Sequence, residues 1–425
     1  MKLGIMLYFF DFRNDIRRLI MELNKYYQVV IFVRKEHEET VKAHLPKNIE
    51  YRIINERKAG IYSSILKKLY FVMRKIPKSK SNYYLMEEFK IGNITNSKIQ
   101  KKAHFLLKIH KWLPHVISYD RYLKLIKVSK KTIINDITTF LCLTEIYDDH
   151  LFSRLVNEEK KIFIYVYSWD HAFKHTRFSK KVEYFVWSEG IKDDLINIQQ
   201  INPNKIHVTG STQLGYLFNF KIDNTNNKYS KPYYYYGCGI GILSLVDKEI
   251  SLIQKLSETI SRINKNATLV VRPYPNNKNW DKYQTLLKNN NIVFDDGFRQ
   301  KDLSVNDSDI TQKFQNISDA LGFFHIGTTL GLETCHVDCP TFIINIEKDD
   351  RRKLNVFNFV NQRQNKKYLI DQSRSNTINS IEELENVITD ISNVRFMELN
   401  YKIRSQFPVK SFEQIGETIA NIMRE

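Results

Sequence analysis

The segment of this chain with the clearest chemical potential is a turn formed by Gly327, Thr328 and Thr329. A strand predicted from Leu321 to Ile326 runs into the turn, and a short helix carrying Glu333 follows it. Backbone N–H groups and the helix dipole attract anions at such a helix N-terminus. Glu333 lies about one turn further on, where an acidic side chain can hydrogen-bond to a ribose. An ordinary strand–turn–helix unit fits the same residues, so the segment alone supports both interpretations.

Other candidate site residues follow further predicted strands, at the carboxyl ends where open α/β sheets bind their ligands. They are Asp11, Arg13, Trp169, Asp170, His171, Glu189, Gly210 and Ser211 in the first half of the chain, and Arg272 and Tyr274 in the second. Asp170, Glu189 and Asp11 are candidates for a catalytic base or for a carboxylate beside a reacting carbon. The structural alternative for each is a loop cap or a salt bridge.

Four cysteines in 425 residues argue against a disulfide scaffold. Cys335 and Cys339 flank His336, but a closed zinc site needs four ligands and no second pair accompanies them. We therefore expect structural cysteines. Adjacent acidic pairs such as Asp295-Asp296 are expected to be solvated, so the sequence predicts no metal site.

Strands and amphipathic helices alternate along most of the chain, which predicts parallel sheets covered on both faces. The polar, Asn-rich segment 221–232 interrupts this alternation and reads as a linker. We therefore predict an N-terminal Rossmann-like domain over residues 1–220 and a C-terminal one over residues 233–410, facing a cleft. A last helix within residues 411–425 is expected to pack back across the joint.

Positive charge concentrates in an insertion in the first domain, residues 60–131, which is predicted to be helical. Between Ser64 and Lys131 there are 17 Lys or Arg residues and three acids, which is +14 of the net charge of +18. Phe71, Phe105 and Trp112 lie among these lysines, a combination that suits contact with anionic lipid. Nucleic acid is the weaker alternative, because no zinc-finger, RNP-like or helix-turn-helix signature is present. A solvated basic face is the remaining alternative.

The chain contains no run of the ~20 apolar residues that a membrane span needs. Its first apolar stretch meets Asp11 and Arg13 without a small-residue cleavage site, so it reads as a strand and not as a signal peptide. These features predict a cytoplasmic protein, held peripherally at the inner membrane by residues 64–131.

Several motifs, taken in order, resemble bacterial GT-B glycosyltransferases of surface polysaccharide biosynthesis. The run Val-Trp-Ser-Glu at 186–189, then a helix, then Pro-x-Lys-Ile-x-Val-Thr-Gly-Ser at 203–211 looks like the end of their first domain. The Ser-Trp-Asp loop at 168–170 and the Phe-Arg turn at 12–13 are similar to one group of them. Glu189-Gly190, Arg-Pro-Tyr-Pro at 272–275 and Thr328-Thr329 also resemble motifs of bacterial sialyltransferases. There Tyr274 replaces a histidine and Ser188 an acid, which puts a His-type general acid and a CMP-sugar donor in doubt.

The resemblance implies an enzyme that moves a sugar from a nucleotide sugar to a lipid-linked or polysaccharide acceptor in cell-surface glycan synthesis, without bound metal or resident cofactor. The donor can be a UDP-, GDP- or CMP-sugar. The implied nucleotide-sugar residues are Gly210, Ser211, Arg272, Tyr274, Gly327, Thr328, Thr329 and Glu333; Arg13, Trp169 and His171 are placed on the acceptor side. Three alternatives remain: a UDP-GlcNAc 2-epimerase, whose Gly-x-Arg-Pro-Glu turn is not matched at residues 11–14, a transferase acting on CDP-glycerol, and an inactive scaffold.

Overall fold

The computed structural model describes residues 1–7, 14–55, 57–58, 60–78, 80–92, 94–126, 128–129, 131–143, 149–169, 171–223, 228–239, 243–273, 280–295, 307–346 and 376–425. Four residues with predicted roles, Asp11, Arg13, Asp170 and Tyr274, lie outside these ranges.

The first half of the chain forms a parallel sheet. Its strands, with two short strands of the insertion, are β1 (Lys2–Leu7), β2 (Gln28–Val33), β3 (Glu50–Ile53), β4 (Arg57–Lys58), β5 (Val128–Ser129), β6 (Thr139–Leu143), β7 (Lys161–Tyr165), β8 (Glu183–Val186) and β9 (Ile206–Val208). Over the described residues the sheet order is β3-β2-β1-β6-β7-β8-β9, with every neighbouring pair parallel. Because both faces are covered by helices, these strands are nearly continuous apolar runs.

The helices of this half are α1 (Asp15–Asn24), α2 (Glu38–His44), α3 (Gly60–Met73), α4 (Lys80–Gly92), α5 (Ser97–Trp112), α6 (Tyr119–Leu125), α7 (Asp149–Asn157), α8 (His171–Lys174) and α9 (Glu189–Asp194). A π-helical turn, Leu195–Gln199, continues α9, and 3-10 turns cover Lys35–His37, Pro203–Lys205 and Thr212–Leu217. Helix α1 buries Ile16, Leu19 and Leu23 at helical spacing, which is why it lies flat on the sheet.

Helices α3 to α6 lie between β4 and β5, which pair with each other in an antiparallel ribbon. Helix α4 is held within the insertion by Tyr83, which is fully buried, and by Glu87, which makes a 2.8 Å ion pair with Arg74. Within the described ranges, every helix is too short or too polar to cross a lipid bilayer.

The second half repeats the architecture. Its strands are β10 (Tyr233–Gly237), β11 (Thr268–Arg272), β12 (Ile292–Phe294), β13 (Phe323–His325), β14 (Thr341–Ile344) and β15 (Thr377–Ile378), in the order β12-β11-β10-β13-β14-β15. Its helices are α10 (Leu243–Ile263), α11 (Trp280–Tyr283), α12 (Asp307–Ser318), α13 (Thr329–Thr334), α14 (Ile381–Thr389), α15 (Glu398–Gln406) and α16 (Phe412–Arg424), with 3-10 turns at Gln284–Lys288 and Val394–Met397. The prediction of an α/β protein with two parallel sheets is confirmed.

Helix α16 returns to the first half and packs against α1. Gly416 makes this contact possible, because a Cβ there would lie 2.6 Å from the Cβ of Glu22. The hydroxyl of Tyr27 donates a 3.0 Å hydrogen bond to the carbonyl of Ala420. The C-terminus of the chain is therefore tied to the first helix.

Candidate functional site

The Gly-Thr-Thr turn after β13 is closed by a histidine from the strand itself. The Nδ1 atom of His325 accepts hydrogen bonds from the backbone N–H groups of Gly327, at 2.8 Å, and Thr328, at 3.2 Å. Gly327 has a φ of 105°, which a residue with a side chain rarely adopts. The backbone amides that were predicted to bind an anion therefore already donate hydrogen bonds to an imidazole.

The environment of His325 keeps the ring neutral and fixes its proton. The side chain is fully buried, and burial lowers the pKa of His325 to about 3. Because Nδ1 accepts two hydrogen bonds, the ring proton lies on Nε2. Gly331 leaves room for the ring, since a Cβ at that position would lie 2.2 Å from Cε1 of His325. The imidazole is therefore a fixed structural part of the turn.

Glu333, assigned above to a ribose, forms a buried ion pair. Its Oε2 atom accepts a hydrogen bond from Nζ of Lys313 on α12, and the two side chains are 1% and 8% exposed. The ammonium of Lys313 also lies 4.0 Å from the centre of the Phe314 ring. A ribose would have to hydrogen-bond to this carboxylate while it stays paired with Lys313. The role of Glu333 in ribose binding therefore stays a prediction.

Arg272, assigned to a phosphate, also has an acidic partner. Its Nη1 atom donates to Oδ2 of Asp295 at 3.0 Å, and both side chains are buried. The hydroxyl of Tyr235 donates to the same carboxylate oxygen. Burial raises the pKa of Asp295, but Arg272 and Tyr235 outweigh it and hold that pKa below its usual value. The expectation that Asp295 is solvated is therefore wrong: it is a buried partner of Arg272.

Two of the predicted segments meet across the molecule. The indole Nε1 of Trp169, in the loop after β7, donates a 3.1 Å hydrogen bond to Oγ1 of Thr329 at the start of α13. Trp169 is 4% exposed. Thr328 caps the same helix, its Oγ1 accepting from the N–H of Gly331 at 3.3 Å. The carboxyl ends of the two sheets therefore face each other at this point.

A buried carboxylate that the sequence analysis did not single out joins three strand ends of the first half. Asp15, the first residue of α1, accepts hydrogen bonds from Thr212 Oγ1 at 2.6 Å and from the Tyr167 hydroxyl at 3.2 Å. The hydroxyl of Tyr165 in turn accepts from the N–H of Thr212 at 2.8 Å. The available signal was an acid in the first turn of the helix after β1. Through its hydrogen bond with Tyr167, Asp15 therefore stabilises the loop that carries Trp169.

The remaining predicted residues take different positions. Glu189 begins α9 at the carboxyl end of β8 and is exposed, so it is accessible for chemistry. His171 is buried at the start of α8, with its ring centre 4.9 Å from that of His175. Gly210 has a φ of 103° and packs beside Lys410. Ser211 is buried, and its Oγ lacks a hydrogen-bond partner in the described part of the chain.

Metal ligands do not gather in the described ranges, where no group of three or more His, Cys, Asp or Glu side chains could hold an ion. The four cysteines are all buried, and none of them forms a disulfide bond. Cys335 donates to the carbonyl of Gly331 at 3.1 Å, as a structural cysteine does.

Comparison with solved structures finds the same arrangement of two Rossmann-like domains. UDP-GlcNAc 2-epimerase from Methanocaldococcus jannaschii is 13% identical, with 100% of this chain and 99% of that chain covered and a TM-score of 0.52. MnaA of S. aureus, solved with UDP, is 12% identical over 100% and 95% of the two chains, with a TM-score of 0.53. A glycosyltransferase from Rickettsia africae is 11% identical over 100% and 97%, with a TM-score of 0.49. No family model and no curated protein matches the sequence.

At these identities the likeness shows the fold. The chain has the two-domain fold that GT-B glycosyltransferases share with UDP-GlcNAc 2-epimerases, as the sequence predicted.

Proposed function

We propose that this protein is a GT-B glycosyltransferase that moves a sugar from a nucleotide sugar to a glycan or lipid-linked acceptor in bacterial surface glycan synthesis. The observation that carries the proposal is the contact between Trp169 and Thr329. It joins the loop with the candidate base Asp170 to the turn with the candidate phosphate donors. The carboxyl ends of facing Rossmann-like sheets are where ligands of this fold class bind.

In this proposal the two halves of the chain have different tasks. Residues 233–410 bind the donor, with Arg272, Thr328 and Thr329 close to the leaving phosphate, whose developing charge needs hydrogen-bond donors. Residues 1–220 bind the acceptor, and a carboxylate there removes the proton from the acceptor hydroxyl. Glu189 is exposed at a helix N-terminus and is the candidate within the described residues. Asp170 and Asp11 are the other two candidates.

Substitution of the carboxylates tests this assignment. Asp170→Asn and Glu189→Gln keep the shape of the side chain and remove its charge, and at least one should lower turnover by a factor of ~100 or more. Glu382→Gln is the matched control, because Glu382 is also an exposed acid in a first helical turn, on α14. Near-normal turnover in both test variants would move the base to Asp11 or elsewhere.

Donor binding gives a separate test. A nucleotide at 100 times its dissociation constant stabilises the folded protein by about 2.7 kcal/mol. Thermal unfolding with UDP, GDP and CMP in turn should identify one stabilising nucleotide. Equal melting temperatures with all three, at concentrations up to the millimolar range, would contradict a nucleotide-sugar enzyme.

A 2-epimerase is the second candidate, favoured by the TM-scores of 0.52 and 0.53 with the epimerase from M. jannaschii and with MnaA. An epimerase needs no acceptor and returns the intact nucleotide sugar inverted at C2. NMR of UDP-GlcNAc incubated with the protein alone separates the two functions. The C2-inverted product would establish the epimerase, and an unchanged substrate favours the transferase.

We further propose that the insertion holds the enzyme on an anionic membrane surface. Helix α5 exposes Phe105 to 61% and Trp112 to 90%. Exposed lysines share this face at helical spacing; they are Lys98, Lys101, Lys102 and Lys108. Helix α3 exposes Ile61, Ile65 and Leu69 on a face of its own and packs against α5.

The position of the insertion supports this proposal. Helix α4 packs against α8, which begins at His171 directly after the loop carrying Trp169. The insertion therefore contacts the helix that follows the loop with the proposed acceptor residues. That arrangement suits an acceptor anchored in lipid.

Cosedimentation with vesicles tests the membrane proposal. Each basic residue near an anionic surface contributes about 1 kcal/mol, so changing Lys98, Lys101, Lys102 and Lys108 to Glu should weaken binding at least a hundredfold. The matched control changes four exposed lysines of the second half, Lys231, Lys255, Lys265 and Lys288. Binding should also fall as salt rises. Equal sedimentation of test and control variants, or no preference for anionic over neutral vesicles, would contradict membrane binding by the insertion.

A further inference from the structure

A buried glutamate on α10 holds the loop that follows β10. Glu249 is completely buried, and its Oε1 atom accepts a 2.9 Å hydrogen bond from the backbone N–H of Gly239. Two tyrosine hydroxyls donate to the same carboxylate, that of Tyr236 at 3.2 Å and that of Tyr283 at 2.6 Å. These bonds fix the position of the carboxylate, because a buried acceptor keeps its partners only while it stays in place.

The loop held in this way begins between the two strand ends that carry the proposed phosphate-binding residues. Gly237, the last residue of β10, is in register with Arg272 on β11 and with His325 on β13. The backbone N–H of Cys238 donates a 3.0 Å hydrogen bond to the carbonyl of Arg272. The start of the loop therefore lies between Arg272 on one side and the Gly-Thr-Thr turn on the other.

Gly239 approaches the side chain of Thr328 so closely that it has no room for a side chain of its own. A Cβ atom at Gly239 would lie far inside van der Waals contact with Cγ2 of Thr328. Among the described residues, the next atoms would be Cβ of Thr328 at 3.4 Å and Cγ1 of Ile326 at 3.6 Å, which are ordinary contacts. Within the described part of the chain, the close contact is therefore with one methyl group.

The position of this methyl group determines where the hydroxyl of Thr328 points. Threonine is branched at Cβ, so Cγ2 and Oγ1 rotate together about χ1. In the observed rotamer Oγ1 accepts a 3.3 Å hydrogen bond from the N–H of Gly331 and caps α13. A hydroxyl that accepts this bond still has its own proton to donate, for example to a phosphate oxygen. A shift of Gly239 would let the methyl group rotate and would turn the hydroxyl away.

We infer that Glu249 is a positioning residue for the nucleotide-sugar site. It holds Gly239 against Thr328 and so fixes the hydroxyl that the proposed function assigns to the leaving phosphate. Glu249 acts through these two residues and does not itself contact the nucleotide. The inference rests on the proposed function, because it gives Glu249 an effect on a ligand that this function requires.

Titration calorimetry of the full chain with UDP, GDP and CMP first identifies the nucleotide that binds most tightly. Glu249→Met removes the acceptor of the Gly239 amide and should weaken this binding about tenfold, because the binding energy must then also order the loop and the turn. Glu249→Gln keeps an oxygen for the amide and should stay within about threefold of wild type. Ser257→Ala is the matched control at another completely buried polar position of α10, where Oγ accepts a 3.2 Å bond from Asn289. It should leave nucleotide binding unchanged.

A second set of variants tests the contact without changing Glu249. Gly239→Ala adds a methyl group against Cγ2 of Thr328 and should weaken nucleotide binding about tenfold, because it rotates the hydroxyl. Thr328→Ser removes Cγ2 and keeps the hydroxyl. The double variant should therefore bind as tightly as Thr328→Ser alone. This recovery would exclude a direct clash between the new methyl group and the nucleotide.

Thermal unfolding of each variant without nucleotide checks that it is folded, so a loss of affinity is separated from a loss of stability. If Glu249→Met does not fold, the variants at Gly239 and Thr328 decide. Three results would overturn the inference: unchanged affinity in Glu249→Met, an equal loss in Glu249→Gln or Ser257→Ala, or no recovery in the double variant.

The same measurements separate this inference from the proposed function. Nucleotide binding that depends on Glu249, without sugar transfer, would keep the positioning role and remove the transferase. Sugar transfer with an unchanged donor KM in Glu249→Met would do the reverse. Failure of UDP, GDP and CMP to bind the wild-type protein would overturn both.

Discussion

The two halves of the chain differ in whether their candidate binding groups already have partners within the protein. In the second half of the chain, the groups predicted to bind the nucleotide sugar are already paired. The turn amides donate to His325, Glu333 pairs with Lys313, and Arg272 pairs with Asp295. In the first half Glu189 and the basic face of α5 are exposed to solvent. Pairing of this kind fixes a binding surface before the ligand arrives, which lowers the ordering cost of binding. We therefore expect a rigid donor side and an accessible acceptor side.

Among the tests of this contrast, Lys313→Met should have the largest effect on folding stability. It leaves the buried carboxylate of Glu333 without its cation, and breaking a buried ion pair from one side typically costs about 3–5 kcal/mol of folding stability. Chemical denaturation measures the loss. The exposed Glu189→Gln, from the opposite side, should change stability by less than about 0.5 kcal/mol.

The double variant Lys313→Met, Glu333→Gln separates pairing from packing. It removes both charges together, so most of the lost stability should return. If the double variant is as unstable as Lys313→Met, then the cost comes from the shape of the lysine and not from an unpaired carboxylate.

The second test is the pH dependence of stability. Burial lowers the pKa of His325 to about 3, against 6.5 for the ordinary side chain. As pH falls below about 6.5 the unfolded chain therefore binds the proton first, so this group destabilises the fold by about 1.4 kcal/mol per pH unit down to about pH 3. Burial also lowers the pKa values of His336 and His110 to about 4, and they act in the same direction.

Denaturation at pH 7 and pH 5 measures this slope in wild type and in His325→Asn. The amide oxygen of Asn can accept from the turn, and it does not titrate, so the variant should lose less stability between the two pH values. His104→Asn, at an exposed position on α5, is the control. Identical slopes in wild type and His325→Asn would contradict a buried neutral imidazole.

The smallest expected effect concerns the bond between the two sides. Trp169→Phe keeps the aromatic packing and removes the hydrogen bond to Thr329. A single neutral hydrogen bond contributes about 0.5–1.5 kcal/mol, so the change in stability should lie in that range. Thermal unfolding measures it, and Thr329→Val should give a similar value that does not add to the first. Full additivity of the two variants would show that the bond does not form.

The sequence predicted the sheets more fully than the site. Parallel strands such as β2 are buried on both faces and appear as apolar runs, so they could be recognised. The pairings of the site depend on residues about 20 positions apart, such as Arg272 with Asp295 and Lys313 with Glu333. Local patterns carry no information on such contacts. Sequence motifs therefore indicated where a site lies but not which of its groups are already paired.

Product analysis is the most direct test of sugar transfer by this protein. The protein is incubated with the nucleotide sugar whose nucleotide stabilises it, and with membranes that contain lipid-linked glycans; mass spectrometry then follows nucleotide and sugar. We expect free nucleotide in step with a glycan heavier by one sugar, and loss of both products in the inactive carboxylate variant. Unchanged glycan, together with an intact or C2-inverted nucleotide sugar, would contradict it.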